Sequence, residues 1–215
     1  MDAVAHQWIQ PLSTIKVSAA NLEIKQNFNM IDNKDIDNII NTTKTQIDYL
    51  LDTLNSFRNF FRPNQKREYF NISNQIESVL KLMKDDLIAN KIDIKIIGDN
   101  SLSYNIIQTD FKHIFINLIN NSKDAFNINN IQNRKITITL LEDDSYIKIV
   151  VSDNAGGIPL NIIDDIFKVN VTTKSEDKGT GIGLYMSKQI IEKIDATIDV
   201  KNIENGALFT IALPK

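Results

Sequence analysis

The sequence contains no cysteine, only four prolines and seven glycines, and no long apolar run. Without cysteine, disulfides, thiolate metal sites and cysteine nucleophiles are excluded. No apolar stretch approaches the roughly 20 residues that a membrane-spanning helix needs, and the first residues do not resemble a signal peptide. The net charge of −3 argues against binding nucleic acid by phosphate neutralisation. We therefore expect a cytoplasmic chain with no membrane contact and no nucleic acid partner.

The first third of the sequence has the spacing of long amphipathic helices. Apolar positions alternate by four and three residues, as in a helical bundle: Ile36, Ile40, Thr43, Ile47, Leu50, Leu54, Phe57 and Phe61. Residues 2–26 carry a compatible stripe, formed by Ile9, Leu12, Ile15, Ala19 and Leu22. Asn27, Asn29, Asp32 and Asn33 supply a turn. We predict an antiparallel helical hairpin over residues 1–62, which forms a four-helix bundle in a homodimer.

The rest of the chain alternates between helical and strand patterns. Arg62-Pro63-Asn64-Gln65 ends the second helix and begins a linker over residues 63–68. Helices are predicted at 73–88, 109–126 and 181–193, and strands at 92–97, 135–141, 146–151, 197–201 and 207–213. Residues 154–180 form a loop long enough to be a functional lid. The expected fold class is α+β, with a two-layer α/β sandwich over 69–215.

Three motifs carry chemistry in the predicted sandwich. In Asp153-Asn154-Ala155-Gly156-Gly157-Ile158, a carboxylate ends a strand beside a glycine pair, so it can accept a hydrogen bond from an amine such as that of adenine. Lys178-Gly179-Thr180-Gly181-Ile182-Gly183-Leu184 opens onto a helix whose N-terminus favours phosphate. Asn117, Asn121 and Asp124 share one helix face, where amide oxygens suit Mg²⁺. Each motif alone has a plain structural explanation.

Together and in this order, the motifs resemble the N, G1 and G2 boxes of the Bergerat-type ATP-binding fold, shared by histidine kinases and DNA gyrase. The resemblance implies that Asp153 holds the adenine, Asn121 coordinates Mg²⁺ and Asn117 supports the phosphates. The expected cofactor-binding residues are Asn117, Asn121, Asp124, Asp153, Gly157, Lys174, Lys178, Gly179, Thr180, Gly181, Gly183 and Leu184. Ile166-Phe167 and Thr172-Thr173-Lys174 resemble the family's lid motif, whose lysines are either phosphate contacts or simply solvated.

A nucleophile is predicted near the first residue. His6-Gln7-Trp8-Ile9-Gln10-Pro11-Leu12 resembles the H box of sensor histidine kinases, most closely the subgroup written His-Gln-Trp-Arg-Gln-Pro-Leu. Pro11 cannot donate to the carbonyl of Gln7, which would loosen the helix and expose the His6 imidazole. The relatives that hydrolyse ATP carry glutamate at the position of Asn117, and an amide cannot act as that general base. The resemblance therefore implies a kinase that phosphorylates His6.

The sequence departs from the family pattern at several positions. Gln7 stands where many relatives have an acid, so the base for His6 stays open, and Gln10 could orient water in a phosphatase reaction. Val169-Asn170-Val171 and Asp195-Ala196 replace the usual Pro-Phe-Phe and glycine pair. His113, the second histidine, is interpreted as structural or as part of the pocket rim.

The expected catalytic residues are His6, Gln7, Gln10 and Asn117. The expected activity is ATP-dependent autophosphorylation of His6, followed by transfer to an aspartate of a response-regulator receiver domain. Because His6 lies so close to residue 1, we expect a sensing region upstream, in a larger sensor that is either cytoplasmic or membrane-bound. Two alternatives remain open: an ATP-holding pseudokinase scaffold, and a serine kinase or ATPase of the same fold.

Overall fold

The computed structural model describes residues 2–28, 30–60, 66–169, 171–172 and 181–215, without the side chains of 2–8, 10, 49 and 52–60. The chain divides into two compact units. The helical unit comprises Met1–Arg58 and Lys168–Ile182, and the sandwich unit comprises Asn59–Phe167 and Gly183–Lys215. Of the described helices, none combines the length and the apolar character that crossing a membrane requires.

The helical unit contains the two long helices that the apolar spacing predicted. Helix α1 spans Asp2–Asn27, with Pro11 inside it, and α2 spans Asn33–Phe60. Asp32 and Asp35 form a capping box at the start of α2. The Asp35 N–H donates to Asp32 Oδ1 at 2.7 Å, and the Asp32 N–H donates to Asp35 Oδ2 at 3.3 Å. An ion pair between Lys25 and Asp35 joins the end of α1 to the first turn of α2.

The sandwich unit is built on a five-stranded mixed sheet. Its strands are β2 (Ile92–Gly98), β4 (Arg134–Glu142), β5 (Tyr146–Asp153), β6 (Thr197–Ile203) and β7 (Gly206–Pro214). The spatial order is β2-β4-β5-β7-β6. The pair β2–β4 is parallel, and the other neighbours are antiparallel. Alternate residues of β4, β5 and β7 are buried, which creates one apolar face.

Helices cover that apolar face of the sheet. They are α3 (Ile72–Leu82), α4 (Lys84–Ala89), α5 (Gln108–Ile128) and α6 (Gly183–Glu192), with a 3-10 turn at Ile163–Asp165. Helix α5 contacts α3, α6 and β4, so it is central to the helical layer. Its Phe111, Phe115 and Phe126 are at most 2% exposed. The α+β class and the α/β sandwich predicted from the sequence are confirmed, and the mixed sheet is a finding of the structure.

Three details differ from the sequence-based expectation. The single helix predicted over 73–88 is wrong, because α3 and α4 are separated at Met83, whose ψ of 4° leaves the helical range. Two short strands were not predicted: β1 (Glu68–Asn71) and β3 (Ser103–Ile106) pair with each other in a separate antiparallel sheet. The last helix begins at Gly183 rather than Gly181.

Candidate nucleotide site

A buried carboxylate ends the central strand β5. Asp153 is 8% exposed and accepts three hydrogen bonds. Its Oδ2 accepts from Ser122 Oγ at 2.7 Å, and its Oδ1 accepts from the N–H groups of Ala155 at 3.0 Å and Ala207 at 3.1 Å. Because a carboxylate has about four acceptor positions, one remains for a ligand. The side chain is therefore fixed in orientation and still able to bind an amine.

The glycine pair at residues 156–157 occupies positions where a side chain would be strained or would clash. Gly156 and Gly157 have φ values of +95° and +81°, which L residues rarely adopt. A Cβ at Gly157 would also lie 2.9 Å from Asn202 Oδ1. The turn predicted as a close-approach site therefore has the backbone conformation that only glycine adopts freely.

Helix α5 connects the two glycine motifs. Near its middle, Asn117 Nδ2 donates to the Gly183 carbonyl at 3.1 Å and to Ser187 Oγ at 3.3 Å, both in the first turns of α6. Further along, Ser122 holds Asp153. Asn121 lies between these two contacts, and no hydrogen bond of its amide is found within the described part of the chain. The helix thus carries an available amide between two anchored motifs.

The predicted metal ligand fits a shared magnesium site. In the described part of the chain, no group of three or more His, Asp or Glu side chains is placed to hold a metal ion. Mg²⁺ usually needs only one or two protein ligands when phosphate oxygens and waters supply the rest. The half-buried Asn121 amide and the partly exposed Asp124 on the same helix provide oxygens of the required kind.

The second glycine motif is described only in part. Gly183 and Leu184 begin α6, where free N–H groups and the helix dipole favour an anion. Gly181 has a φ of +61°. Lys174, Lys178, Gly179 and Thr180 lie outside the described residues, as does Thr173. Their predicted contacts with phosphate stay predictions.

The predicted phosphoacceptor lies on helix α1. His6, Gln7 and Gln10 fall within Asp2–Asn27, as the H-box interpretation requires, but their side chains lie outside the described part. His113, the other histidine, is on α5. Burial lowers its pKa, and the charge of Asp110 opposes that shift. The half-buried side chain is compatible with either interpretation, structural or pocket rim, and the choice between them stays a prediction.

Sequence reasoning missed three side chains that organise the site. Ser122, Ser187 and Asn202 are small polar residues whose partners are 31, 70 and 44 positions away in the chain. One signal was available for the two serines: each lies on the apolar face of its helix, with Leu118 and Phe126 one turn either side of Ser122 and Ile191 one turn after Ser187. A hydroxyl buried on such a face needs a partner. Nothing in the local sequence marks Asn202.

Comparisons with known proteins agree with this site. A family model described as "Histidine kinase-, DNA gyrase B-, and HSP90-like ATPase" matches residues 106–215. The two-component sensor PprA of Pseudomonas aeruginosa is 26% identical over 220 residues, covering 100% of this chain and 24% of that protein. Sporulation kinase A of Bacillus subtilis is 32% identical over 154 residues, covering 71% of this chain and 24% of that protein. The chain therefore spans about a quarter of these relatives' length.

Several solved structures that resemble the chain are of the histidine kinase ThkA, and two of them show the extent of the likeness. Its nucleotide-free catalytic domain is 28% identical, with a TM-score of 0.62, covering 70% of this chain and 98% of that one. In the complex of ThkA with response regulator protein TrrA, the TM-score is 0.71 at 23% identity, covering 99% of this chain and 60% of that one. Because the identity to ThkA in this complex is only 23%, the likeness shows a shared fold and no more.

The family match covers more than half of the chain, from Ile106 in β3 through every strand and helix of the nucleotide site. The chain therefore belongs to the histidine kinase-, DNA gyrase B- and HSP90-like ATPases and contains their ATP-binding domain. Within that family its relatives include a two-component sensor and a sporulation kinase, and the histidine kinase catalytic core expected from the sequence is confirmed.

Proposed function

We propose that this chain transfers the γ-phosphoryl group of ATP to His6 and then passes it to an aspartate on a response-regulator receiver domain. The observation that carries the proposal is the double anchoring of α5. Ser122 fixes the carboxylate at the end of β5, Asn117 fixes the start of α6, and Asn121 lies between them. A nucleotide needs contacts of these three kinds for its base, its phosphates and its metal.

The adenine end of the site is assigned to Asp153. Its carboxylate accepts hydrogen bonds and donates none when ionised, so it matches the exocyclic amine of adenine and repels the carbonyl oxygen of guanine. The glycine pair beside it lets the ring approach the main chain. We assign Asn121 as the Mg²⁺ ligand, and the bound ion would neutralise charge on the phosphate oxygens.

The reaction type follows from what Asn117 cannot do. A carboxamide does not accept a proton near neutral pH, so this position has no general base that could activate water. In the structure its Nδ2 donates to the Gly183 carbonyl, which gives it a positioning task. ATP would then be retained until another nucleophile arrives, and the neutral imidazole of His6 is the candidate. Gln7 and Gln10 stay candidates for supporting roles.

The helical unit is proposed to dimerise as an antiparallel hairpin. On α2, Ile36, Ile40 and Ile47 of the predicted stripe are 41%, 43% and 45% exposed in the single chain. Ile9 and Leu12 on α1 are more than half exposed. The single chain leaves this regular apolar stripe exposed to solvent. Burying it against other helices would therefore be favourable. Two hairpins would complete a four-helix bundle.

Radiolabelling tests the proposed reaction directly. The chain would be incubated with γ-labelled ATP and Mg²⁺, comparing the wild type with His6→Gln, His113→Gln and Asn121→Ala. Phosphohistidine is acid-labile and stable in base, so we expect an acid-labile label on the wild type and on His113→Gln. The label should be absent from His6→Gln and Asn121→Ala.

Other outcomes would select among the alternatives. A wild type that binds nucleotide without acquiring label would refute the kinase proposal and favour an ATP-holding scaffold. Acid-stable label, or steady release of phosphate, would indicate a serine kinase or an ATPase. Transfer from labelled protein to a purified receiver domain, lost when its aspartate is replaced by asparagine, would test the second step.

A further inference from the structure

The hairpin formed by β6 and β7 contacts the loop at residues 154–158, which we call the glycine-pair loop. The Gly156 N–H donates to the Asn205 carbonyl at 3.0 Å. The Ala207 N–H donates to Asp153 at 3.1 Å, just before the loop. Gly206 lies so close that an added Cβ would be 1.8 Å from the Asp153 carbonyl oxygen. The hairpin is therefore a close neighbour of the loop along its whole length.

Asn202 makes the most specific of these contacts. Its Oδ1 accepts from the Ile158 N–H at 2.8 Å, and its Nδ2 donates to the Ile158 carbonyl at 2.7 Å. One side chain thus satisfies both main-chain groups of a residue 44 positions away, as a neighbouring strand would. Ile158 directly follows the glycine pair, so Asn202 fixes the loop at the point where its unusual backbone ends.

The glycine-pair loop needs such external support. Two consecutive glycines lose more conformational entropy on ordering than any other residue pair, so the loop does not define its own shape. On the other side, Asn129 Nδ2 donates to the Ala155 carbonyl at 2.6 Å. The loop is therefore held before the glycine pair by Asn129 and after it by Asn202. A ligand that binds a preformed loop loses less free energy to ordering it.

We propose that Asn202 is a positioning residue for the nucleotide base, acting through the Ile158 main chain on the glycine-pair loop. The proposal rests on the assignment of Asp153 to adenine given above. Its consequence concerns both affinity and specificity. When the loop is fixed, the ring is confined in register with the Asp153 carboxylate, where adenine is accepted and guanine is rejected. When the loop is loose, both bases are held more weakly and the discrimination between them decreases.

The fold of the hairpin does not depend on this side chain. Asn202 pairs with Ala207 through the backbone ladder of β6 and β7, and substitution leaves that pairing in place. Asn202→Ala removes both bonds to Ile158. Asn202→Asp keeps an acceptor for the Ile158 N–H but places a carboxylate oxygen against the Ile158 carbonyl. Glu204→Ala, in the exposed turn of the same hairpin, is the matched control.

Calorimetric titration of the full chain with ADP and with GDP, each with Mg²⁺, tests the proposal. We expect Asn202→Ala to raise the Kd for ADP about tenfold, as for the loss of one to two hydrogen bonds, with a smaller change for GDP. Asn202→Asp should weaken ADP binding as well, and Glu204→Ala should match the wild type. In autophosphorylation, the KM for ATP should rise while the rate at saturating ATP changes less than about twofold.

The outcomes separate this proposal from the one on which it rests. Asp153→Asn is included in the same titrations. If it weakens ADP binding while both Asn202 variants bind like the wild type, the positioning role is refuted and the adenine assignment stands. If Asp153→Asn binds ADP normally, the adenine assignment fails and this inference fails with it. An equal loss of ADP and GDP affinity in Asn202→Ala would also refute the role in base discrimination.

Discussion

Replacing Ser122 with alanine should weaken the sandwich unit more than replacing a comparable buried serine. Ser122 is 4% exposed, and its hydroxyl donates to Asp153 Oδ2 at 2.7 Å. This distance is ordinary for an O–H···O hydrogen bond, and the acceptor is a carboxylate oxygen. The substitution leaves Oδ2 without its donor from the protein, whereas Oδ1 keeps the Ala155 and Ala207 N–H groups.

The expected magnitude follows from the charge of the acceptor. Hydrogen bonds to charged groups contribute about 1.5–3 kcal/mol, and the loss includes the desolvation of an oxygen that stays buried. We therefore expect Ser122→Ala to lower the free energy of unfolding by about 2 kcal/mol, a roughly thirtyfold change in the unfolding equilibrium. For a unit of this size the melting temperature should fall by about 5 °C.

Urea and thermal unfolding followed by circular dichroism, without nucleotide, would measure this loss. Ser73→Ala is the matched control, because Ser73 is also 4% exposed but donates to the neutral amide oxygen of Asn100 at 3.3 Å. A longer, neutral bond should contribute about 0.5–1 kcal/mol. If the two variants lose the same free energy of unfolding, and the slope of that free energy against urea concentration is unchanged, the reasoning from the Asp153 charge is wrong.

Two further predictions concern exposed carboxylates. Asp195 has a φ of 57° just after α6, so Asp195→Gly should stabilise the unit by up to about 1 kcal/mol, measured by urea unfolding. Asp144→Gly, in a turn without positive φ, should give no gain, and an equal gain would contradict the explanation. The Lys148 ammonium and two N–H groups lower the pKa of Asp143 to about 2. Asp143→Asn should therefore be less stable than the wild type above about pH 4, and this difference in stability should shrink as the pH falls through about 2, where half of the native Asp143 carboxyls are still ionised. A difference as large below pH 2 as at pH 5 would refute this.

The core of the fold was predictable because its pattern is local. Along each strand of the five-stranded sheet, less exposed residues alternate with more exposed ones. The predicted bounds of these strands lie within three residues of the observed ones. Strands β1 and β3 were missed because each has four residues and pairs only with the other, so their stability depends on a contact over 30 positions. The break at Met83 has no glycine or proline to mark it.

The candidate site was predictable where residues of one motif act together. Asp153 and the glycine pair lie in one stretch, as do Asn117 and Asn121. Each motif alone did not indicate its chemistry, but their joint order resembles one family of ATP-binding domains. Ser122 and Asn202 were missed for a physical reason: a side-chain amide or hydroxyl has no preferred partner until the fold brings one within hydrogen-bond distance. The sequence motifs contain the groups that are proposed to contact the nucleotide, whereas the groups that hold them in place lie outside any motif pattern.

The position of β7 has a consequence for how the protein is made. This strand is the last in sequence, yet it lies between β5 and β6, and β6 has no other neighbour in the described sheet. Synthesis proceeds from the N-terminus, so β6 leaves the ribosome before any strand exists with which it can pair. The Ala207 N–H that orients Asp153 arrives later still. A chain interrupted before Gly206 would contain all three sequence motifs of an ATP site and lack the strand that pairs with β5 and helps to orient Asp153.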